Sequence, residues 1–115
     1  MSESSLGRLL CARLPVALPD ARIFRRNVGF DPVAKVRFGI AGQADYYLLA
    51  RGGMHAEVEL KATRGRLSVE QVRWREFCIS FRIPYFLLEQ LASETPDETV
   101  NRWVSTLLAW TRSLP

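Results

Sequence analysis

The chain has 115 residues, of which 48% are hydrophobic and 24% charged, and its formal net charge is +4. This composition excludes a disordered or fibrous chain, and the length favours a single domain over residues 1–115. No apolar run reaches the length of a membrane span, and the N-terminus lacks the layout of a signal peptide. We therefore expect an intracellular, cytoplasmic protein without a membrane partner.

The surplus of positive charge is almost entirely arginine, whose planar guanidinium group suits bidentate contacts with phosphate. A polyanionic partner is indicated, and charge carried for solubility alone is the alternative. The two cysteines, Cys11 and Cys78, lie far apart without a CxxC partner or a histidine cluster. The sequence therefore predicts neither a zinc site nor a disulfide framework.

The first half of the chain predicts one helix and several strands. Leucines at helical spacing indicate a helix over residues 4–14, which Pro15 is expected to end. The segments "ARIFRRNVGF" and "VAKVRFGI" each have the character of a strand, and one of them should form the edge of a sheet. The runs "ADYYLLA" and "MHAEVELKA" flank Gly52 and Gly53, which predicts a β-hairpin.

The second half predicts a helix, a strand and a further helix. Ser68 and Gln71 form a capping box, and "PYFLLEQ" indicates a largely buried strand. Thr95 caps the last helix, with Pro96 at its first position and Glu98 completing a second capping box. The predicted buried stripe of the first of these helices contains Trp74, Phe77, Cys78 and Phe81. This order predicts an α/β fold in which helices flank a mixed central sheet, with a parallel strand after the middle helix and an added C-terminal helix.

Three charged residues follow one another at alternate positions of the second hairpin strand. Glu57, Glu59 and Lys61 should share one face, opposite the face that packs in the core. A two-residue turn would put Asp45 on the wrong face of the hairpin. A loop with an odd number of residues, such as 51–53, would instead put Asp45 opposite Glu59.

Two neighbouring carboxylates with a lysine are suited to phosphodiester hydrolysis. Carboxylates this close repel each other unless a cation lies between them, and Mg²⁺ prefers oxygen ligands of this kind. A bound metal polarises the phosphate, and the lysine orients water or neutralises developing charge. The non-functional alternative is a solvated sheet face with a cross-strand ion pair.

The segment "GIAGQADYYLLARGGMHAEVELKATRGRLSVEQVRW" resembles the core signature of the VRR-type (virus-type replication-repair) nucleases, a branch of the PD-(D/E)xK superfamily. The shared pattern is a glycine-rich approach to an aspartate, a hairpin, an acid-x-lysine strand, a Gly-Arg-Leu-Ser turn and a helix with an early glutamine. "RRNVGF" is similar to the Arg-Asn-x-Gly segment that precedes that core. The resemblance implies the restriction-endonuclease-like αβββαβ core.

The resemblance also implies a metal site and its catalytic partners. Asp45 and Glu59 would bind Mg²⁺, with Mn²⁺ able to substitute, and Lys61 would be the catalytic lysine. Gln71 matches the family's glutamine near the site. Two further metal ligands are suggested by the family pattern, namely the backbone carbonyl of Leu60 and the side chain of Glu3.

Several other residues near the motif have a predicted place. Glu57 is expected to be a spare surface acid near the metal, and His55 a plain surface residue. The three tryptophans are expected to serve packing rather than base stacking. The arginines predicted to contact DNA are Arg64, Arg66, Arg73, Arg75 and Arg26, although each alone is also compatible with a solvated side chain.

We therefore predict a Mg²⁺-dependent deoxyribonuclease that cuts branched DNA in the manner of a Holliday-junction resolvase and serves DNA repair. Because the chain ends soon after the core, a stand-alone homodimer is expected, with the last helix as a candidate interface. The alternatives are a non-catalytic DNA-binding subunit with the same fold, and a nuclease for linear or single-stranded DNA.

Overall fold

The computed structural model describes residues 1–27 and 29–115, with side chains for all of these except residues 30, 37 and 38. Val28, which belongs to the "RRNVGF" segment, therefore lies outside the description. The helices are α1 (Glu3–Ala17), α2 (Val69–Ser80) and α3 (Pro96–Arg112). The strands are β1 (Arg22–Arg25), β2 (Gly29–Asp31), β3 (Val36–Phe38), β4 (Tyr46–Ala50), β5 (Met54–Lys61) and β6 (Tyr85–Glu89).

Four of the strands form a mixed sheet in the order β1-β4-β5-β6. Strands β1 and β5 both run antiparallel to β4, whereas β6 runs parallel to β5 after the α2 crossover. Strands β2 and β3 form a separate two-stranded antiparallel sheet. The predicted α/β class, the mixed sheet and the parallel strand after the middle helix are confirmed, and β1 is the predicted edge strand.

The turn between β4 and β5 fixes the register of the hairpin. It is a short 3-10 turn over Arg51–Gly53, in which Gly52 has a φ of 69°. This left-handed backbone is one that glycine adopts at little cost. Tyr46 then pairs with Val58, so the odd-numbered loop that the functional interpretation required is present. Continued by one residue, this register places Asp45 opposite Glu59.

The two faces of the sheet are covered by different helices. Helices α1 and α3 pack on one face, where Val58 and Leu60 of β5 are fully buried as predicted. Helix α2 lies over β5 and β6 on the opposite face, as its hydrogen bonds to Glu57 and Glu59 show. Both faces of β5 are therefore buried, because alternate side chains enter opposite layers. The acids of β5 consequently lie beneath a helix.

Helix α1 continues beyond its predicted end. It runs to Ala17 with Pro15 inside its last turn, so the expectation that Pro15 ends the helix was wrong. Proline keeps a helical φ, but it lacks a backbone donor and its ring crowds the carbonyl four residues earlier, and α1 ends two residues after it. The Leu18 amide then caps the helix by donating to the Leu14 carbonyl.

Among the described residues, no helix is long and apolar enough to cross a membrane.

Two of the four residues in the predicted buried stripe of α2 lie on the surface, which corrects that prediction. Cys78 is fully buried, whereas Phe77 and Phe81 are 40% and 67% exposed. The helix is turned so that Gln71 and the Trp74 side chain face the sheet, where polar groups require partners. In α3, by contrast, the apolar residues pack in the chain's own core with α1.

Candidate active site

The centre of the candidate site is Glu59, a carboxylate in the middle of β5 with no exposed surface. Its Oε2 accepts a hydrogen bond of 3.1 Å from the backbone amide of Asp45, and its Oε1 accepts one of 2.7 Å from the Gln71 amide. Burial, followed by the negative charge of Asp45, raises the pKa of Glu59 to about 7. This carboxylate is therefore held in place and is costly to ionise without a nearby cation.

Lys61 lies two residues further along the same face of β5. Its Nζ is 3.6 Å from Oε1 of Glu59 and 3.9 Å from Oε1 of Glu3 in the first turn of α1. The lysine side chain is only 9% exposed. Glu3 is therefore brought toward the site, where its carboxylate lies beside the lysine. A buried ammonium group beside Glu59 can stabilise negative charge that develops on a substrate.

Asp45 reaches the site from the end of a loop that packs against α2. Gly42 in this loop has a φ of 87°, and a Cβ there would lie 2.2 Å from the carbonyl oxygen of Glu70. Only glycine allows the loop to approach the first turn of α2 so closely. In that turn Gln71 completes the capping box of Ser68 and also donates to Glu59. The loop and the helix thus fix Asp45 and Gln71 on either side of Glu59.

The donor set fits a hard divalent cation supported by water. Among the described residues, no three acidic, histidine or cysteine side chains converge as a ready-made metal cluster. Mg²⁺ is usually bound by one or two carboxylates and keeps several waters, so Asp45 and Glu59 are a sufficient pair. A cation there would also offset the burial and the charge of Asp45, which together raise the pKa of Glu59. Leu60 buries its side chain in the core and offers this site only its backbone.

Glu57 is a buried structural acid, which corrects the expected spare surface carboxylate. It is 2% exposed and accepts two hydrogen bonds from Arg26, of 2.5 and 2.8 Å. The indole of Trp74 donates to it at 3.0 Å, and Nε2 of His55 contacts its second oxygen. Burial alone would raise the pKa of Glu57, but the hydrogen bonds from Arg26, His55 and Trp74 outweigh burial and lower it.

The Glu57 network was missed from the sequence, although a signal for it was present. His55 and Glu57 lie two residues apart on β5 and therefore share a face. Because β5 pairs with β4 on one side and with β6 on the other, an acid on it is buried and requires hydrogen-bond partners. His55 is thus part of a hydrogen-bonded network rather than a plain surface residue. Arg26, predicted to contact DNA, directs its guanidinium group to Glu57 and to the Ala44 carbonyl.

Replacing Arg26 with alanine is expected to destabilise the fold by about 2 kcal/mol, because Glu57 would remain buried without its main cation. This estimate is below the usual cost for a broken buried pair, since His55 and Trp74 would still bind Glu57. Urea unfolding measures the effect. Arg25→Ala is the matched control because Arg25 lies on the other face of β1. Equal stability of the two variants would contradict the structural role of Arg26.

The remaining predicted DNA-binding arginines are exposed around the site. Arg64 and Arg66 lie in the loop between β5 and α2, directly after Lys61. Arg73 and Arg75 lie on α2 but point in different directions, because residues two apart on a helix do not share a face. Arg73 borders an outer groove with Phe77. Arg64 and Arg66 therefore follow Lys61 closely along the chain, whereas Arg73 and Arg75 lie on different faces of α2.

No protein-family model matches the chain, and no curated protein matches its sequence. The arrangement of side chains around Glu59 is therefore the basis for a functional proposal. Its elements are two carboxylates, a buried lysine and a positioned amide on one sheet face.

Proposed function

We propose that the chain is a Mg²⁺-dependent DNA endonuclease that hydrolyses phosphodiester bonds in branched DNA. The observation that carries the proposal is the buried Glu59 carboxylate, which shares one site with Asp45, Lys61 and Gln71. This set of residues lowers the stability of the fold, because Glu59 is removed from water and lies near a second acid. A catalytic metal site would account for that cost.

We further propose that the chain has the αβββαβ core of the PD-(D/E)xK nucleases and belongs with the VRR-type branch. The order α1, β1, β4, β5, α2 and β6 supports this assignment. On this interpretation the β2–β3 hairpin is an insertion between the first and second core strands, and α3 is an addition after the core. The acid-x-lysine of β5, with its odd-numbered hairpin loop, supports the same assignment.

Each residue of the site has a proposed task. Asp45 and Glu59 would hold Mg²⁺, with the Leu60 carbonyl as a further ligand and Mn²⁺ as a substitute. Bound Mg²⁺ polarises the phosphate and lowers the pKa of a water molecule. Gln71 keeps the Glu59 carboxylate oriented through its hydrogen bond to Oε1. Lys61 would stabilise the negative charge that develops on the phosphate oxygens.

The exposed arginines after β5 would bind the DNA backbone. Arg66→Ala is expected to weaken binding by a similar factor for every DNA sequence and to lower the slope of log K against log salt by about one. Fluorescence anisotropy at several salt concentrations measures both effects. Arg112→Ala is the matched control, because that arginine ends α3. An unchanged slope for Arg66→Ala, or an equal change in the control, would exclude Arg66 from the DNA interface.

We also propose that the chain acts as a homodimer, because paired cuts across a four-way junction require two symmetric sites. Light scattering after size-exclusion chromatography measures the mass directly. Cleavage of junctions by a monomer would contradict the proposed dimer but not the proposed nuclease activity.

The proposed activity is tested with labelled linear duplex, single strand, flap and four-way junction, each with Mg²⁺, with Mn²⁺ and with EDTA. Cleavage of the junction in preference to linear duplex, and only with metal, is the expected result. Lys61→Ala serves as the catalytic control and is expected to bind each DNA normally but to cut none. Binding by both proteins without cleavage by either would instead identify a non-catalytic DNA-binding subunit.

A further inference from the structure

A second concave site lies on the same face of the sheet, next to the candidate active site. It is a pocket of about 460 Å³ between α2 and the start of β5. His55 and Trp74 contribute aromatic rings to its lining, and Glu57 and Arg26 also border it. Its volume falls within the range of small-molecule sites, which is about 300–1,000 Å³. The proposed catalytic set does not use this pocket.

Four polar side chains of this pocket are already bonded to each other. Both Glu57 oxygens accept hydrogen bonds from Arg26, and the Trp74 indole N–H donates to one of them. Nε2 of His55 contacts the other oxygen. His55 and Trp74 therefore offer a ligand ring surfaces, and the polar side chains of Gln43 and Arg82 also border the pocket. A flat ring that binds by stacking fits such a lining, whatever its pattern of donors and acceptors.

An aromatic row leads to the pocket across the sheet. Phe24 of β1 stacks on Tyr47 of β4 at 5.2 Å between ring centroids, and Tyr47 stacks on His55 of β5 at 5.7 Å. Arg26 lies over the Tyr47 ring at 4.9 Å. Phe24 and the His55 side chain are each 41% exposed, so this row is accessible from solvent.

Charge and position favour a nucleic acid as the occupant. The Arg26–Glu57 pair is neutral as a unit, and Arg82 adds a positive charge at the edge of the pocket. Glu57 precedes Glu59 by two residues, a distance of about 7 Å along a strand. One nucleotide can span that distance. An anionic strand with a phosphate at Glu59 would therefore present its neighbouring base to this pocket.

We propose that the pocket holds the base of an unpaired nucleotide next to the cleaved phosphate. The position of this base beside the cleaved phosphate rests on the proposed nuclease function, whereas base binding by the pocket does not. A base inside a duplex is stacked on both sides and cannot enter, so the site favours DNA with an unpaired nucleotide at a branch or flap. Because stacking dominates, the pocket accepts all four bases with similar affinity.

The test compares a labelled single-stranded oligonucleotide with the same strand made abasic at every second position. Anisotropy titrations in EDTA use the wild-type chain, His55→Ala and His55→Phe. The wild type is expected to bind the strand with bases about tenfold more tightly than the abasic strand. His55→Ala is expected to lose most of this difference, whereas His55→Phe retains it because it keeps a ring while losing the bond to Glu57.

Equal affinity of the wild type for the two strands overturns the proposal. This comparison uses the wild-type chain alone, so it does not depend on whether a variant folds. A His55→Phe protein that is folded by circular dichroism but as weak as His55→Ala also overturns it, since the ring would then be irrelevant. Self-association of the chain that His55→Ala abolishes, without base-dependent binding, identifies a second copy as the occupant instead. A wild type that discriminates the strands but cuts no DNA supports the pocket and refutes the nuclease proposal.

Discussion

Replacing Asp45 with asparagine is expected to lower kcat/KM for DNA cleavage by at least about 1,000-fold, equivalent to about 4 kcal/mol of transition-state stabilisation. Asparagine keeps the size of the side chain and the backbone amide that donates to Glu59. It removes one of the two charges that would hold Mg²⁺. The loss should therefore fall on metal binding and catalysis, while the fold is retained.

Single-turnover cleavage and calorimetric titration with Mg²⁺ measure the two effects in Asp45→Asn. Asp20→Asn is the matched control, because Asp20 is an exposed acid between α1 and β1. At about pH 8 without metal, Asp45→Asn should be at least as stable as the wild type, because the repulsion on Glu59 is removed. Normal cleavage by Asp45→Asn would exclude this residue from the metal site.

Replacing Glu59 with glutamine is expected to abolish cleavage and, unusually for a buried residue, to stabilise the metal-free chain at high pH. Burial and the charge of Asp45 raise the pKa of Glu59 from 4.5 to about 7. The folded chain thus holds this proton more tightly than the unfolded chain. The stabilising contribution of Glu59 is therefore fully present below about pH 4.5 and is lost as the pH rises through about 7.

The size of this effect follows from the shift in pKa. In EDTA, the unfolding free energy of the wild type should fall by about 2–3 kcal/mol more than that of Glu59→Gln between about pH 5 and about pH 8. Urea unfolding of both proteins across this range gives the difference, in which the other titrating groups largely cancel. Mg²⁺ should restore stability to the wild type at high pH but not to the variant. Parallel pH profiles for the two proteins would contradict the raised pKa.

Much of the fold was readable from local patterns in the sequence. The capping boxes begun by Ser68 and Thr95 fix the starts of α2 and α3, and both are formed. The alternation of β5 placed Val58 and Leu60 in the core and the charged residues on the other face. The odd-numbered hairpin loop that the sequence analysis considered is also present, since the paired strands have the register that sets Asp45 opposite Glu59.

The parts that were not predicted depend on contacts between distant segments. The rotation of α2 about its axis is set by bonds from Gln71 and Trp74 to the sheet, which outweigh burial of Phe77 and Phe81. Helical spacing alone could not reveal this, because the apolar stripe was the stronger local signal. The burial of Glu57 likewise requires Arg26, which lies 31 residues away in the chain.

The most direct test of the proposed site is single-turnover cleavage of a labelled four-way junction by the wild type, Asp45→Asn and Lys61→Ala, with Mg²⁺ and with EDTA. We predict product only from the wild type with Mg²⁺, while all three proteins remain folded and bind the junction. Equal cleavage by all three proteins, or cleavage that persists in EDTA, would contradict a metal-dependent site built from Asp45, Glu59 and Lys61.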